Sequence, residues 1–247
     1  MSNINLGIYV VFHNMVFEHL YEEMSPNDKN LITLYGVKNR IDTSMNIIYE
    51  MDLPIYNSNL QKNIYNEGSA FYHIYKNSEL YRKYDYIGFG QYDMKMFSHS
   101  IQNIENIIKK DRNPIIVMEF FPDIKQTGFL GCHNLIRATL NDIECGLLSY
   151  NRFFNKNFKP EDVILNRLIQ CNTFVISTKL FEKMMSWLMS YYIDNVNINR
   201  HPLIGNAGEI PEALIGMFLS LEVFQGSTYY KFDIEHVWPL YKNIANS

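Results

Sequence analysis

Short apolar runs alternate along this chain with stretches whose apolar residues recur every three or four positions. Leu6-Gly7-Ile8-Tyr9-Val10-Val11-Phe12 is unbroken and stops at His13-Asn14, the mark of a strand buried on both faces. Phe17, Leu20 and Tyr21 then keep helical spacing, and that helix is expected to end before Pro26, since the residue preceding a proline is pushed out of the helical region. Leu31 to Tyr35 reads as a second strand, closed by Gly36. Asn66-Glu67-Gly68-Ser69 opens a helix that carries Ala70, Phe71, Ile74 and Tyr75 on one face. Tyr84 to Gly90 is a further strand running into glycine.

The second half repeats the alternation. Ile101, Ile104, Ile107 and Ile108 form an apolar helical stripe, and Ile115 to Phe121 is a strand. One helix is expected from near Asn134 and another from Pro160-Glu161-Asp162, where proline and acids suit a first turn. Asn172 to Ser177 reads as a strand, with Thr178 capping the helix of Phe181, Met184, Met185 and Leu188. Glu209 to Phe224 reads as helix and Tyr229 to Phe232 as a last strand. Strands alternating with helices predict an α/β fold with a mostly parallel central sheet.

Composition narrows this picture. With 247 residues, 47% of them hydrophobic, the chain buries enough surface to fold without a metal or disulfide staple. No repeat, linker or low-complexity segment divides it, so residues 1–247 are read as one domain. A net charge of -4, from 22 basic against 26 acidic residues, argues against nucleic acid as a partner. Lys109-Lys110-Asp111-Arg112 is the densest basic cluster and reads as a solvated helix end. Three cysteines without C-x-x-C spacing point to a reducing compartment. No signal-peptide pattern and no apolar run of about 18 residues is present, so a cytoplasmic location without a transmembrane segment is expected, host cytoplasm should the gene be viral. Asn, Ile, Lys and Tyr share AT-rich codons, so the 18 tyrosines carry little weight as a sign of sugar stacking.

In an open α/β sheet, ligands bind beyond the carboxyl ends of the strands. That directs attention to His13-Asn14, Gln91-Tyr92-Asp93 and Asn172. The chain contains no G-x-G-x-x-G after its first strand, no P-loop, no G-x-S-x-G and no H-E-x-x-H. Asp93, after the glycines of Gly88-Phe89-Gly90, can offer an oxygen to a hard divalent cation that bridges substrate phosphates. The acidic D-x-D of GT-A glycosyltransferases occupies this topological place, here with Gln91 for its first acid.

The order of these segments resembles a family of small glycosyltransferases from capsular and exopolysaccharide gene clusters, formerly known only as a domain of unknown function. Phe12-His13-Asn14 is similar to its T-H-K tripeptide, without the lysine. Glu67 to Asn77 resembles its E-L-T-x-x-Y-x-x-W-K-N helix. Tyr84 to Phe97 resembles Y-D-Y-I-G-L-x-H-Y-R-R-Y-F, with Gln91-Tyr92-Asp93-Met94-Lys95 over the H-Y-R-R stretch. Asn172 to Ser177, Phe181 and Trp187-Leu188 look like its N-x-F-I-M and F-x-x-x-x-x-W-L segments. Gly208 to Leu214 resembles G-x-x-x-E-R-L, with Ala213 in place of the arginine.

The resemblance implies a GT-A-like domain that moves a sugar from a nucleotide-sugar donor, a UDP- or GDP-sugar, to a glycan or other hydroxyl acceptor with Mn²⁺ or Mg²⁺. The base would lie near Val11, Phe12 and His13, Asn66 would border the ribose and sugar, and Tyr92 and Asp93 would meet the diphosphate. Asp93 and His236 are the implied metal ligands. Glu209 and Glu212, bracketing Pro211 at a helix start, are candidate bases for an inverting transfer; a retaining one needs no such base. Asn172 and Trp187 are read as structural. Two alternatives stand beside this: a sugar-nucleotide nucleotidyltransferase, and a non-catalytic glycan-binding or scaffolding member of the same fold.

Overall fold

The computed structural model describes residues 4–61, 67–119, 140–163, 172–193 and 209–237. Its centre is a seven-stranded sheet in the order β3-β2-β1-β4-β7-β6-β8. The strands are β1 (Leu6–Phe12), β2 (Ile32–Gly36), β3 (Ile47–Tyr49), β4 (Tyr86–Gln91), β6 (Pro114–Glu119), β7 (Phe174–Ser177) and β8 (Thr228–Asp233). Pairing is parallel between β1 and both β2 and β4, between β2 and β3, and between β6 and β8. β7 alone runs antiparallel to its neighbours β4 and β6. A two-stranded ribbon, β5 (Met94–Lys95) with β9 (Glu235–His236), stands beside the main sheet.

Alternating side chains of the buried strands feed two cores. Tyr9, Val11, Tyr35, Phe89, Val117 and Phe174 pack under one helical layer. That layer holds α2 (Gly68–Lys76), α4 (Leu140–Phe154), α5 (Thr178–Leu188) and α6 (Glu209–Phe224). Ile8, Val10, Phe12, Leu34 and Val175 face the opposite layer, where α3 (Ser98–Lys110) lays down Ile101, Ile104 and Ile108. Burial of each such side chain stabilises the fold by about 2 kcal/mol.

Three local expectations change. The helix expected through Leu20 is a 3-10 turn at Glu18–Tyr21, and Pro26, read as its terminator, instead starts α1 (Pro26–Asn30). Proline is preorganised for a first helical position, and Ser25 caps that turn by accepting from the Asp28 N–H at 3.2 Å. The cap of α5 is Ser177, which accepts from the Leu180 N–H. Thr178 donates its hydroxyl to the Tyr84 carbonyl at 2.6 Å and ties the helix to the entrance of β4. Pro160–Asp162 forms a 3-10 turn; the continuation expected for that helix, and the helix start near Asn134, lie outside the described residues. No described helix is long and apolar enough to cross a membrane.

Candidate functional site

The parallel strands share one carboxyl edge, and antiparallel β7 brings its beginning there. In the ladders, Val11 lies opposite Gln91, and Glu119 opposite Asp233. Phe174 lies opposite both Phe89 and Val117, which sets Asn172 level with Gln91 and Glu119. The edge therefore gathers the ends of β1, β2, β4, β6 and β8 with the start of β7.

Val11 and Phe12 point into opposite cores, 2% and 0% exposed, so a ligand above β1 meets their backbone rather than their side chains. His13, the next residue, turns outward. Its Nε2 stands 3.5 Å from Oε1 of Glu67, and its buried Nδ1 has no hydrogen-bond partner. Glu67 immediately precedes α2 and joins His13 as a candidate to which the sequence assigns no role. Its signal was present in the acid that begins the family-like helix, but only the fold shows that it reaches β1. Asn66 lies outside the described residues.

The first turn of α2 is anchored from below. Glu50, just after β3, is fully buried and accepts the Ser69 hydroxyl at 2.7 Å, while its second oxygen lies 3.2 Å from Nδ1 of His73. Nε2 of His73 accepts the Asn57 N–H at 2.8 Å, so the ring proton sits on Nδ1, which is 2.9 Å from the Ser69 carbonyl. The same carboxylate adds to burial in raising the Tyr35 hydroxyl above its ordinary range. A carboxylate that accepts the Ser69 hydroxyl and stands beside the His73 ring thus links β3 to the turn that carries Glu67.

Tyr92 and Asp93 form the tight turn between β4 and β5. Tyr92 packs on Phe17, ring centroids 5.8 Å apart. Asp93 is 4% exposed and close enough to the fully buried Tyr21 to add to the desolvation that raises that phenol. β9 returns to this turn: Met94 pairs with His236, and the Val237 N–H donates to the Asp93 carbonyl at 3.0 Å. Glu209 and His236 are placed by their backbones alone. The start of α6 reaches the start of α2, since a Cβ on Gly68 would meet Pro211 at 3.5 Å. Glu212 is therefore beside the Glu67 turn, half-buried. Ala213 is 1% exposed inside the helical-side core.

Among the described residues no group of three or more His, Cys, Asp or Glu could hold a metal. A cation at Asp93 would thus depend on phosphate oxygens and water for most of its ligands, as Mg²⁺ commonly does. A cleft of about 340 Å³ lined by Glu18, Tyr21, Lys29 and Met45 lies elsewhere, near the amino ends of β2 and β3.

No family model matches the chain, and no curated protein matches it. Among solved structures it is similar to the apo form of WbbM, a bifunctional glycosyltransferase, with a TM-score of 0.59 and 15% identity. The match covers 94% of this chain and 45% of that one, so this chain spans less than half of that protein. The likeness runs through nearly all of the sheet and helices described above: the chain has a glycosyltransferase-like α/β fold.

Proposed function

We propose that the chain is a glycosyltransferase of the capsular and exopolysaccharide type it resembles, moving a sugar from a nucleotide-sugar donor to a glycan or other hydroxyl acceptor. The observation that carries this reading is the return of β9 to the turn after β4, which sets the backbones of His236 and Asp93 side by side. The fold likeness to a glycosyltransferase supports it independently. In this reading the base lies over the end of β1 near Val11, Phe12 and His13, and the diphosphate reaches Tyr92 and Asp93; Asn66, expected beside the ribose, lies outside the described residues.

The topology brings Glu67, Asp93, Glu119, Glu209, Glu212 and Asp233 to this edge, together with Lys38 and Arg40 after β2 and Lys95 in β5. A diphosphate beside Asp93 calls for a counter-charge at that turn, which favours Mn²⁺ or Mg²⁺ held by Asp93 and His236. Bound there, the cation would offset the charge of the departing nucleoside diphosphate. In an inverting transfer, Glu209 or Glu212 takes the proton of the acceptor hydroxyl. The acceptor oxygen bonds to the anomeric carbon as the bond from that carbon to the phosphate oxygen breaks.

The test is a thermal-shift panel of UDP-, GDP-, CMP- and dTDP-sugars, each with Mn²⁺ and with EDTA. A donor at about 100 times its dissociation constant adds roughly 2.7 kcal/mol. Metal-dependent stabilisation by one nucleotide class, lost in Asp93→Ala, is the expected result and names the base. A flat panel would overturn the transferase reading in favour of a non-catalytic glycan-binding or scaffolding member of the fold.

A further inference from the structure

We infer that Asn172 contacts the donor directly, its side-chain carbonyl accepting a hydrogen bond from a hydroxyl of the glycosyl group. The inference rests on the transferase reading above and reverses the structural role that the sequence suggested. Asn172 is 3% exposed, and its Oδ1 is buried with no hydrogen-bond partner. Buried side-chain oxygens are almost always paired, because removal from water is otherwise uncompensated.

The backbone adds a second cost at the same residue. Asn172 has φ 49°, in the left-handed region that side chains other than glycine seldom occupy. Asn155 shares that conformation, at φ 51°, for a local reason. It closes α4, and the Lys156 N–H donates to the Asn151 carbonyl at 2.8 Å in the pattern that ends helices. At Asn172 the same conformation leads into β7 and holds an unsatisfied acceptor at the sheet's carboxyl edge. Unsatisfied polar groups and backbone strain kept together at such an edge mark ligand sites.

Position and chemistry select the ligand group. Across the edge the order is β1 with His13, β4 with Gln91 to Asp93, then β7 with Asn172. A donor with its base over β1 and its diphosphate at Asp93 brings its glycosyl unit to β7 next. Phosphate oxygens accept hydrogen bonds and cannot satisfy another acceptor, whereas sugar hydroxyls donate.

The experiment compares wild type, Asn172→Gly and Asn172→Ala in thermal melting and in affinity for two probes: the nucleotide-sugar that stabilises wild type, and the matching free nucleoside diphosphate. Glycine removes both the unpaired oxygen and the backbone strain, so Asn172→Gly is expected to melt at or above the wild-type temperature. Both variants are expected to lose about tenfold in nucleotide-sugar affinity, the worth of one hydrogen bond, and to keep nucleoside diphosphate affinity. Three results overturn the inference alone: unchanged nucleotide-sugar affinity, equal loss for both probes, or a lower melting temperature for Asn172→Gly. A wild type that binds no nucleotide overturns the transferase reading and takes this contact with it.

Discussion

Two buried carboxylates, Glu50 and Glu222, are held in opposite ways. Glu222 is 7% exposed near the end of α6, about 20 Å along the helix from the edge at which Glu209 starts it. Lys183 Nζ lies 2.5 Å from its Oε1, and Tyr150 donates its hydroxyl to the same oxygen at 3.0 Å. The ammonium also sits over Phe154 and Phe218, so charge, hydroxyl and ring faces clamp α4, α5 and α6 together. Glu50 is more deeply buried yet accepts the neutral Ser69 hydroxyl, with its second oxygen 3.2 Å from the His73 ring. At the far end the carboxylate has a cation and closes a helical layer. At the carboxyl edge of the sheet a carboxylate orients a turn, and that turn carries Glu67 to His13. What compensates a buried charge thus separates a residue that holds the layer from one that positions the site.

Alkali should dissolve both regions, the largest effect expected. Burial first, then the neighbouring carboxylate, raises Tyr35 beside Glu50 and Tyr150 beside Glu222. Burial and Glu182 push Tyr81 up to about 12. A raised tyrosine stays protonated in the folded chain while its unfolded counterpart ionises near pH 10, roughly its ordinary value. Its stabilisation is therefore complete below about pH 10 and is lost as pH rises toward the folded values. Denaturant midpoints should fall steeply over that window, with the buried tyrosines ionising in step with unfolding and the partly exposed ones before it.

Substitutions then separate the two clusters. Glu50→Ala removes the acceptor from the buried Ser69 hydroxyl and opens a cavity beside His73, which frees the start of α2, at about 3 kcal/mol in urea titration. A loss under about 1 kcal/mol would show that the turn is held by other contacts. Lys183→Met leaves Glu222 its hydroxyl partner, and the lysine side chain is 38% exposed, so solvent screening limits its cost to about 1 kcal/mol. The two tyrosines should differ in sign. Tyr150→Phe loses a made hydrogen bond and costs about 1 kcal/mol, whereas Tyr35 has a buried hydroxyl without a partner, so Tyr35→Phe should be neutral or mildly stabilising. The smallest effect belongs to Lys109→Ala on the solvent face of α3, where its contact with Glu105 is 3.7 Å long; it should stay within about 0.5 kcal/mol.

Much of the fold was legible in the residues because the signals are local. The apolar run of β1, the isoleucine stripe of α3 and the Met184-Met185-Leu188 face of α5 each name their element without reference to the rest of the chain. Three short strands were not legible. Ile47–Tyr49, Met94–Lys95 and Glu235–His236 are too brief for periodicity to register, and each exists through its pairing partner. The rule that ligands sit past strand ends singles out His13 and Asp93 as candidates, and both stand at the carboxyl edge of the sheet. Glu67 is not among them, because its relevance lies in a contact with a residue 54 positions away.

The sequence by itself determined the alternation of strands and helices, which side chains are apolar, and the presence of acids after the strands. Those follow from periods of two and 3.6 residues, which a chain carries wherever it folds. Only the tertiary structure decided that β7 runs antiparallel between β4 and β6, that β9 returns to Asp93, that α2 and α6 start side by side, and that Glu50 meets Ser69 and His73. It also decided that Asn172 reaches the edge with an unpaired oxygen. Each of these depends on which distant segments bury one another's surface, and no local pattern encodes that choice.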